Sequence, residues 1–186
     1  MKKLVLFSFV IFAFSSCKKN DEKITDEPEN TTEEITSIPA EETSVYPVVS
    51  SNQLAEILKA KPDNDTLYIT NFFATWCQPC MIEIPHFKEA MKEMEGEKVK
   101  FTFVDVDQKS DWETKVKAFG DENQLGDHIV LYDMANGPSD FMSKHTATWD
   151  GNAIPFTRIS KGRMTNEMLG AMLKKEDLDN FLETIK

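Results

Sequence analysis

The sequence predicts an α/β fold, a three-layer sandwich in which a mixed central sheet carries helices on both faces. Apolar, β-branched runs at 67–74 and 99–106 alternate with segments of helical spacing, which is the pattern of strand–helix–strand units. A hairpin pattern at 154–168 adds antiparallel strands, and an amphipathic segment follows it. With 186 residues, the chain is long enough for one domain with a normal core.

Residues 1–16 have the three-part layout of a secretory signal peptide. A basic start is followed by an apolar run from Leu4 to Phe14, which is too short to span a bilayer. Small residues then precede Cys17, and a cysteine at this point makes the segment resemble a bacterial lipoprotein signal. The usual pattern has Leu where this chain has Phe14. The resemblance implies a lipid on Cys17; the alternative is an ordinary signal peptide with an incidental cysteine.

Residues 17–44 are expected to be a lipidated cysteine followed by a disordered acidic tether. Positions 18–44 hold nine acidic residues against three lysines, with few large apolar side chains. Such a composition cannot bury enough surface to offset the entropy of ordering the chain. The folded domain is therefore expected at 45–186. The formal net charge of -11 argues on electrostatic grounds against nucleic acid as a partner.

Each element of the domain is predicted from its hydrophobic period and its flanking turn residues. In chain order these are an edge strand at 45–49, a helix with a capping box at 50–53, a strand at 67–74, a helix from Cys77 to about Glu95, a strand at 99–106, a helix capped by Ser110 and Glu113, a strand at 128–132, a short helix within 137–148, a hairpin of 154–160 and 163–168, and a helix over 178–185. Because the strand at 99–106 is apolar almost throughout, we expect it to be central and parallel.

A Cys-x-x-Cys motif lies where the strand at 67–74 gives way to a helix. This position places Cys77 at a helix N-terminus, where unpaired N–H groups and the helix dipole stabilise a thiolate. The thiolate is the attacking species in disulfide exchange. Cys80, one turn later, can resolve the mixed disulfide. Since the remaining cysteine is Cys17, no structural disulfide is left to form.

The run Trp76-Cys77-Gln78-Pro79-Cys80 resembles the active site of thioredoxins. Further residues match the TlpA/ResA-like branch of exported thioredoxins at that family's spacing: Asn71, Glu83, Pro85 and Ile154-Pro155. The resemblance implies a thioredoxin-like sandwich over 45–186 and a cis peptide bond before Pro155. The segment 121–152 is longer and more polar than the usual family, and its role is not predicted.

The resemblance also assigns roles to individual residues. It implies a catalytic set of Cys77, Cys80 and Glu83. It implies a substrate-binding set of Trp76, Ile154 and Pro155. It implies a supporting set of Asn71, Gln78 and Pro79. If Glu83 is buried and protonated, it could donate a proton to a departing thiolate.

The function implied is thiol–disulfide exchange, in the direction that reduces protein disulfides. The expected partners are disulfide-bonded protein substrates, a membrane thiol donor and a lipid anchor through Cys17, and no cofactor is expected beyond the redox-active Cys77–Cys80 disulfide. The expected location is the bacterial cell envelope, on a membrane and facing the periplasm.

Four alternatives to a disulfide reductase can be compared on the sequence. Gln78-Pro79 alone does not determine the reduction potential, so the protein could be an oxidant or isomerase. A copper(I) metallochaperone would need a further His or Met ligand beside the dithiol. A structural zinc site would need four ligands, with only His86, His128 and His145 to spare, so no metal is expected. A peptide-binding module without redox activity is disfavoured because both cysteines are intact.

Overall fold

The computed structural model describes residues 44–185. The predicted signal peptide, Cys17 and the predicted tether up to residue 43 lie outside this range. In chain order the elements are α1 (Ser51–Leu58), β1 (Leu67–Phe73), α2 (Gln78–Glu93), β2 (Val99–Asp105), α3 (Lys109–Asp111), a π-helical turn (Trp112–Val116), α4 (Lys117–Asn123), β3 (Ile129–Leu131), α5 (Phe141–His145), β4 (Phe156–Lys161), β5 (Met164–Leu169) and α6 (Lys175–Glu183). Among the helices described, none is long and apolar enough to cross a membrane.

The sheet is mixed, as predicted, and its strand order is β3-β2-β1-β4-β5. β1, β2 and β3 are parallel, whereas β4 is antiparallel to both β1 and β5. The strand β1 therefore lies at the centre, between a parallel and an antiparallel neighbour. In this register Asn71 lies opposite Thr157 of β4, and Phe73 lies opposite Asp105 of β2.

Helices cover both faces of the sheet, which confirms the predicted layers. Side chains alternate along β1, so Ile69 and Phe73 point to one face and Phe72 points to the other. The first face packs against α2, α4 and α6, and its core cluster contains both cysteines of the motif. The second face packs against α1 and α5.

One predicted capping box is confirmed and the other is wrong. In α1, the Ser50 hydroxyl accepts from the Gln53 N–H at 3.3 Å, and Gln53 Oε1 accepts from the Ser50 N–H at 2.8 Å. Ser110 caps nothing, because helical structure already begins at Lys109. Glu113 instead accepts a hydrogen bond from the Val45 N–H at 2.8 Å. A contact with Val45, which lies 68 positions earlier in the sequence, thus replaces the local cap.

Several boundaries also differ from the predictions. The edge strand expected at 45–49 is a single bridge between Val48 and Leu131. α2 spans Gln78–Glu93, with Pro85 inside it, where the prediction was Cys77 to about Glu95. The hairpin turn is shifted by one residue, because Lys161 pairs with Met164. Gly162 then lies in the turn with φ +59°, a conformation that favours glycine.

Candidate active site

Cys77 and Cys80 lie at the N-terminus of α2 and are joined by a disulfide, with their Cα atoms 5.3 Å apart. Cys77 is the N-cap residue of α2, and its sulfur accepts the Cys80 N–H at 3.3 Å. Cys80 is fully buried, and Cys77 is 3% exposed. Both cysteines belong to the first core cluster, so both side chains are buried in the disulfide form.

Glu83 is fully buried one turn after Cys80, on the same side of α2. Its Oε1 accepts a hydrogen bond from Asn71 Nδ2 at 2.7 Å, and its Oε2 accepts one from the Met172 N–H at 3.1 Å. Burial raises the pKa of Glu83 to about 7, and the two hydrogen bonds oppose this rise. The group therefore exchanges a proton near neutral pH.

Asn71 connects the dithiol helix to the strand that follows Pro155. Its Nδ2 donates to Glu83 and also to Thr157 Oγ1 at 3.0 Å, and all three side chains are buried. Because β1 is central, a single amide reaches α2 on one side and β4 on the other. The predicted supporting residue is therefore in contact with Glu83.

The Ile154–Pro155 peptide bond is cis, as predicted. Pro155 is buried, and its carbonyl accepts the Gly170 N–H at 2.9 Å. Ile154 is partly buried and packs against both core clusters, the first of which contains the two cysteines. Trp76 is 67% exposed next to Cys77, where an incoming polypeptide can contact its indole.

Gln78 and Pro79 occupy the first two positions of α2, and both are exposed. Proline is favoured in the first turn of a helix, where its missing N–H breaks no hydrogen bond. These two residues close the short loop between the cysteines without contributing a titratable group.

Sequence reasoning missed a pair of buried carboxyl groups next to the dithiol loop. Asp107 accepts the Thr75 N–H at 2.6 Å and the Thr75 hydroxyl at 3.0 Å, two residues before Cys77. Asp105 Oδ2 accepts the Asp107 N–H at 3.2 Å. Burial and the neighbouring Asp107 raise the pKa of Asp105 to about 9. The signal was available, since Asp105 ends the strand predicted to be central and Asp107 follows two residues later.

Within residues 44–185, no group of three or more His, Cys, Asp or Glu side chains could hold a metal ion. His86 Nε2 donates to the Leu173 carbonyl at 3.2 Å. His128 Nδ1 contacts the Phe101 carbonyl at 3.3 Å, and His145 packs on the ring of Phe141. None of these contacts brings a histidine to the dithiol.

Comparison with known proteins assigns the fold. Residues 45–120 match the Thioredoxin family model. A thioredoxin-family thiol:disulfide interchange protein from Chlorobium tepidum TLS superposes with a TM-score of 0.52 and 21% identity, covering 75% of this chain and 94% of its own. A DsbF homologue from Corynebacterium diphtheriae superposes with a TM-score of 0.51 and 16% identity, covering 66% and 73%.

A thioredoxin-related protein from Neisseria meningitidis serogroup B is similar at a TM-score of 0.50 and 18% identity, covering 68% of this chain and 86% of its own. No curated protein matches the chain. The predicted thioredoxin-like sandwich is confirmed, and the disulfide lies at the end of its central strand.

Proposed function

Because the chain carries a thioredoxin-fold domain whose dithiol motif can close into a disulfide, we propose that it is a thiol–disulfide oxidoreductase of the cell envelope that reduces protein disulfides. The observation that carries this proposal is the position of the Cys77–Cys80 disulfide, at the N-terminus of α2 and one turn before the buried Glu83. A helix N-terminus stabilises the thiolate that disulfide exchange requires.

The reaction transfers two electrons from the reduced dithiol to a substrate disulfide. The Cys77 thiolate attacks one substrate sulfur, the substrate S–S bond breaks, and the released substrate thiolate takes up a proton. Cys80 then loses its proton and attacks the Cys77 sulfur. This step releases the second substrate thiol and leaves the Cys77–Cys80 disulfide. A membrane thiol donor supplies two electrons for the next cycle.

Glu83 is the group that takes the Cys80 proton in the second step. A base is most effective when its pKa lies near the working pH, and the pKa of Glu83 is raised to about 7. Cys80 and Glu83 are both fully buried, so water competes poorly for this proton. In the reverse direction the same carboxyl group returns the proton to the departing Cys80 thiolate.

The substrate contacts Trp76 and pairs with the backbone of Ile154. Trp76 offers a large exposed apolar surface beside Cys77. An extended polypeptide can add its backbone to an exposed edge, with pockets for alternate side chains. Ile154 precedes β4 and packs on the cluster that contains the dithiol, which supports this assignment.

We further infer export and membrane attachment. The support is the sequence of residues 1–17, whose basic, apolar and small segments end at Cys17. A signal peptide at 1–16 and a tether at 17–44 would place the domain 45–186 on the periplasmic side of a membrane. A reductase located there would act on proteins that an oxidising compartment has disulfide-bonded.

The test is to trap the mixed disulfide with two matched variants. In Cys80→Ser, the resolving thiol is missing, so we expect Cys77 to accumulate in a covalent complex with a disulfide-bonded probe such as insulin. Cys77→Ser should form no such complex. Trapping through Cys80, or no reaction with insulin by the reduced wild-type domain, would overturn the proposal. The reduction potential, measured against glutathione, decides between a reductase and an oxidant.

A further inference from the structure

The Ile154–Pro155 peptide is followed by regular structure but preceded by an irregular segment. On its C-terminal side, Phe156 begins β4 and pairs with Phe72 of β1 and Leu169 of β5. On its N-terminal side, residues 146–154 belong to no helix or strand. The position of the Ile154 backbone therefore depends on contacts that the sheet does not provide.

Trp149 provides contacts on both sides of this dipeptide. Its ring stacks on Phe156 with centroids 4.5 Å apart and an interplanar angle of 13°, and it lies edge-to-face with Phe72 at a centroid distance of 4.7 Å. Its Nε1 donates to the Ala153 carbonyl at 2.6 Å. Because Ala153 directly precedes Ile154 and Phe156 directly follows Pro155, one buried indole spans the whole dipeptide.

The backbone just before Trp149 is anchored to the sheet by a charged side chain. Glu167 of β5 accepts the N–H groups of Ala147 at 2.8 Å and Thr148 at 2.9 Å through Oε2. Its other oxygen pairs with Arg158 of β4, and the two side chains are 4% and 13% exposed. This largely buried ion pair attaches the segment to β4 and β5. The backbone directly before Trp149 is therefore held in place.

We propose that Trp149 is a positioning residue, which holds the Ile154 peptide where a disulfide-bonded polypeptide can pair with it. The proposal rests on the proposed function, because it assumes that the substrate backbone meets Ile154. Backbone hydrogen bonds weaken steeply when donor and acceptor leave their preferred angle and distance. A small shift of Ile154 would therefore weaken polypeptide binding and leave the dithiol chemistry intact.

The experiment compares two probes with the reduced Trp149→Phe variant. Phenylalanine retains a ring against Phe156 but removes the N–H that the Ala153 carbonyl accepts. We expect kcat/KM for insulin reduction to fall by about tenfold, mainly through KM, because the Ala153 carbonyl loses the hydrogen bond that holds the residue before Ile154. The rate constant for reaction with the small disulfide 5,5′-dithiobis(2-nitrobenzoate) should change by less than about twofold. The equilibrium constant for exchange with glutathione, which reports the reduction potential, should also change by less than about twofold.

Phe141→Leu is the matched control. Phe141 belongs to the same core cluster and contacts the ring of Tyr132, but it makes no ring contact with Trp149 or Phe156. It should lower the stability of the domain and leave the ratio of the insulin and small-disulfide rates at the wild-type value. A purely structural role of Trp149 predicts the same behaviour for both variants.

Glu167→Gln keeps the proposal testable if Trp149→Phe does not fold. It weakens the anchor at Ala147 and Thr148, and we expect the same selective loss with insulin. An equal loss with both probes, or no loss in the available folded variant, overturns the proposal. If the wild-type domain reduces the small disulfide and insulin, and the variants match it, only the role of Trp149 fails. If the wild-type domain reduces neither, the proposed function fails with it.

Discussion

At the scale of single residues, two buried carboxyl groups near the dithiol have pKa values far above those of free side chains. Glu83 and Asp105 are both fully buried, and burial is the largest cause in each case. They differ in their neighbours. Glu83 accepts two hydrogen bonds that favour its charged form, whereas Asp105 lies beside Asp107. Glu83 can therefore change its protonation near neutral pH, while Asp105 is neutral there.

Glu83→Gln tests the proposed proton acceptor. In the wild-type protein, the rate of mixed-disulfide resolution should rise with pH through about 7, as Glu83 ionises. The glutamine variant should lose this rise, and its resolution rate at pH 8 should be lower by roughly 100-fold. Single-turnover reduction of insulin, followed from pH 5 to 9, measures both.

Glu89→Gln is the matched control for this measurement, since Glu89 lies on the exposed side of the same helix. Its pH profile should follow the wild type. An unchanged rise through pH 7 in Glu83→Gln would remove Glu83 from the proposed mechanism.

Asp105→Asn should stabilise the oxidised domain at alkaline pH. The pKa of Asp105 is raised from 3.8 to about 9 in the folded state, so between these values the folded protein binds more protons than the unfolded chain. Folding stability therefore falls as the pH rises through this range. Asparagine cannot ionise, and its amide oxygen can accept the Asp107 N–H as the carboxyl group of Asp105 does. Urea denaturation at pH 5, 7 and 9 should show an advantage for the variant that grows with pH.

Asp65→Asn controls for the change from acid to amide. Asp65 is exposed and paired with Lys98, whose Nζ lies 2.9 Å away. Its substitution should give no stability gain that grows with pH. A constant effect of Asp105→Asn from pH 5 to 9 would contradict the raised pKa.

At the scale of secondary-structure elements, two similar sequence patterns have different outcomes. Both Ser50 and Ser110 are followed three residues later by a side chain that can complete a capping box. Only Ser50 forms one, whereas Glu113 binds the N–H of Val45, distant in sequence. The contact of Glu113 with Val45 depends on where the segment before α1 passes relative to Glu113. The local sequence around Ser110 does not specify that position.

The variants Ser50→Ala and Ser110→Ala test whether only Ser50 stabilises the domain as a helix cap. The first should lower the free energy of unfolding by about 1 kcal/mol, because α1 loses its N-cap. The second should change it by less than about 0.5 kcal/mol, since an exposed serine that makes no cap is removed. Urea denaturation at neutral pH compares them directly. Equal losses for the two variants would mean that the cap contributes nothing specific.

At the scale of the whole molecule, the fold gathers the site from segments that are far apart in sequence. The central strand β1 ends at the dithiol loop, and its neighbours β2 and β4 contribute Asp105 and Thr157. Met172, after β5, reaches Glu83. The candidate active site is therefore supported by both the parallel and the antiparallel halves of the sheet.

Lipid attachment is the prediction that concerns the complete protein. We expect the mature chain to start at Cys17 and to carry lipid, because a short apolar run ends directly before that cysteine. Lipid chains anchor by burying their methylene groups in the bilayer. Intact-mass measurement of membrane-extracted protein tests this. Cys17→Ser should release the protein from the membrane fraction, and a mature wild-type chain that starts elsewhere would contradict the prediction.

The sequence by itself determined the class of the fold and the centre of the site. Hydrophobic period located all five strands of the described domain to within a few residues, and the Cys-x-x-Cys motif after a buried strand located the dithiol. These features are local, since period, caps and motif spacing extend over a few residues of neighbouring chain. Glu83 and Pro155 were located by resemblance to a family, because a single carboxylate or proline has no local signature of its role.

Only the tertiary structure decided the features that depend on distant segments. The burial that raises the pKa of Glu83 comes from packing of the helix against the sheet. Two contacts depend on which loops meet at one end of the sheet. They are the hydrogen bonds that Asp107 accepts from Thr75 and the one that Trp149 donates to the Ala153 carbonyl. Burial and long-range hydrogen bonds are properties of the packed chain, so a one-dimensional pattern can locate these residues without showing what they touch.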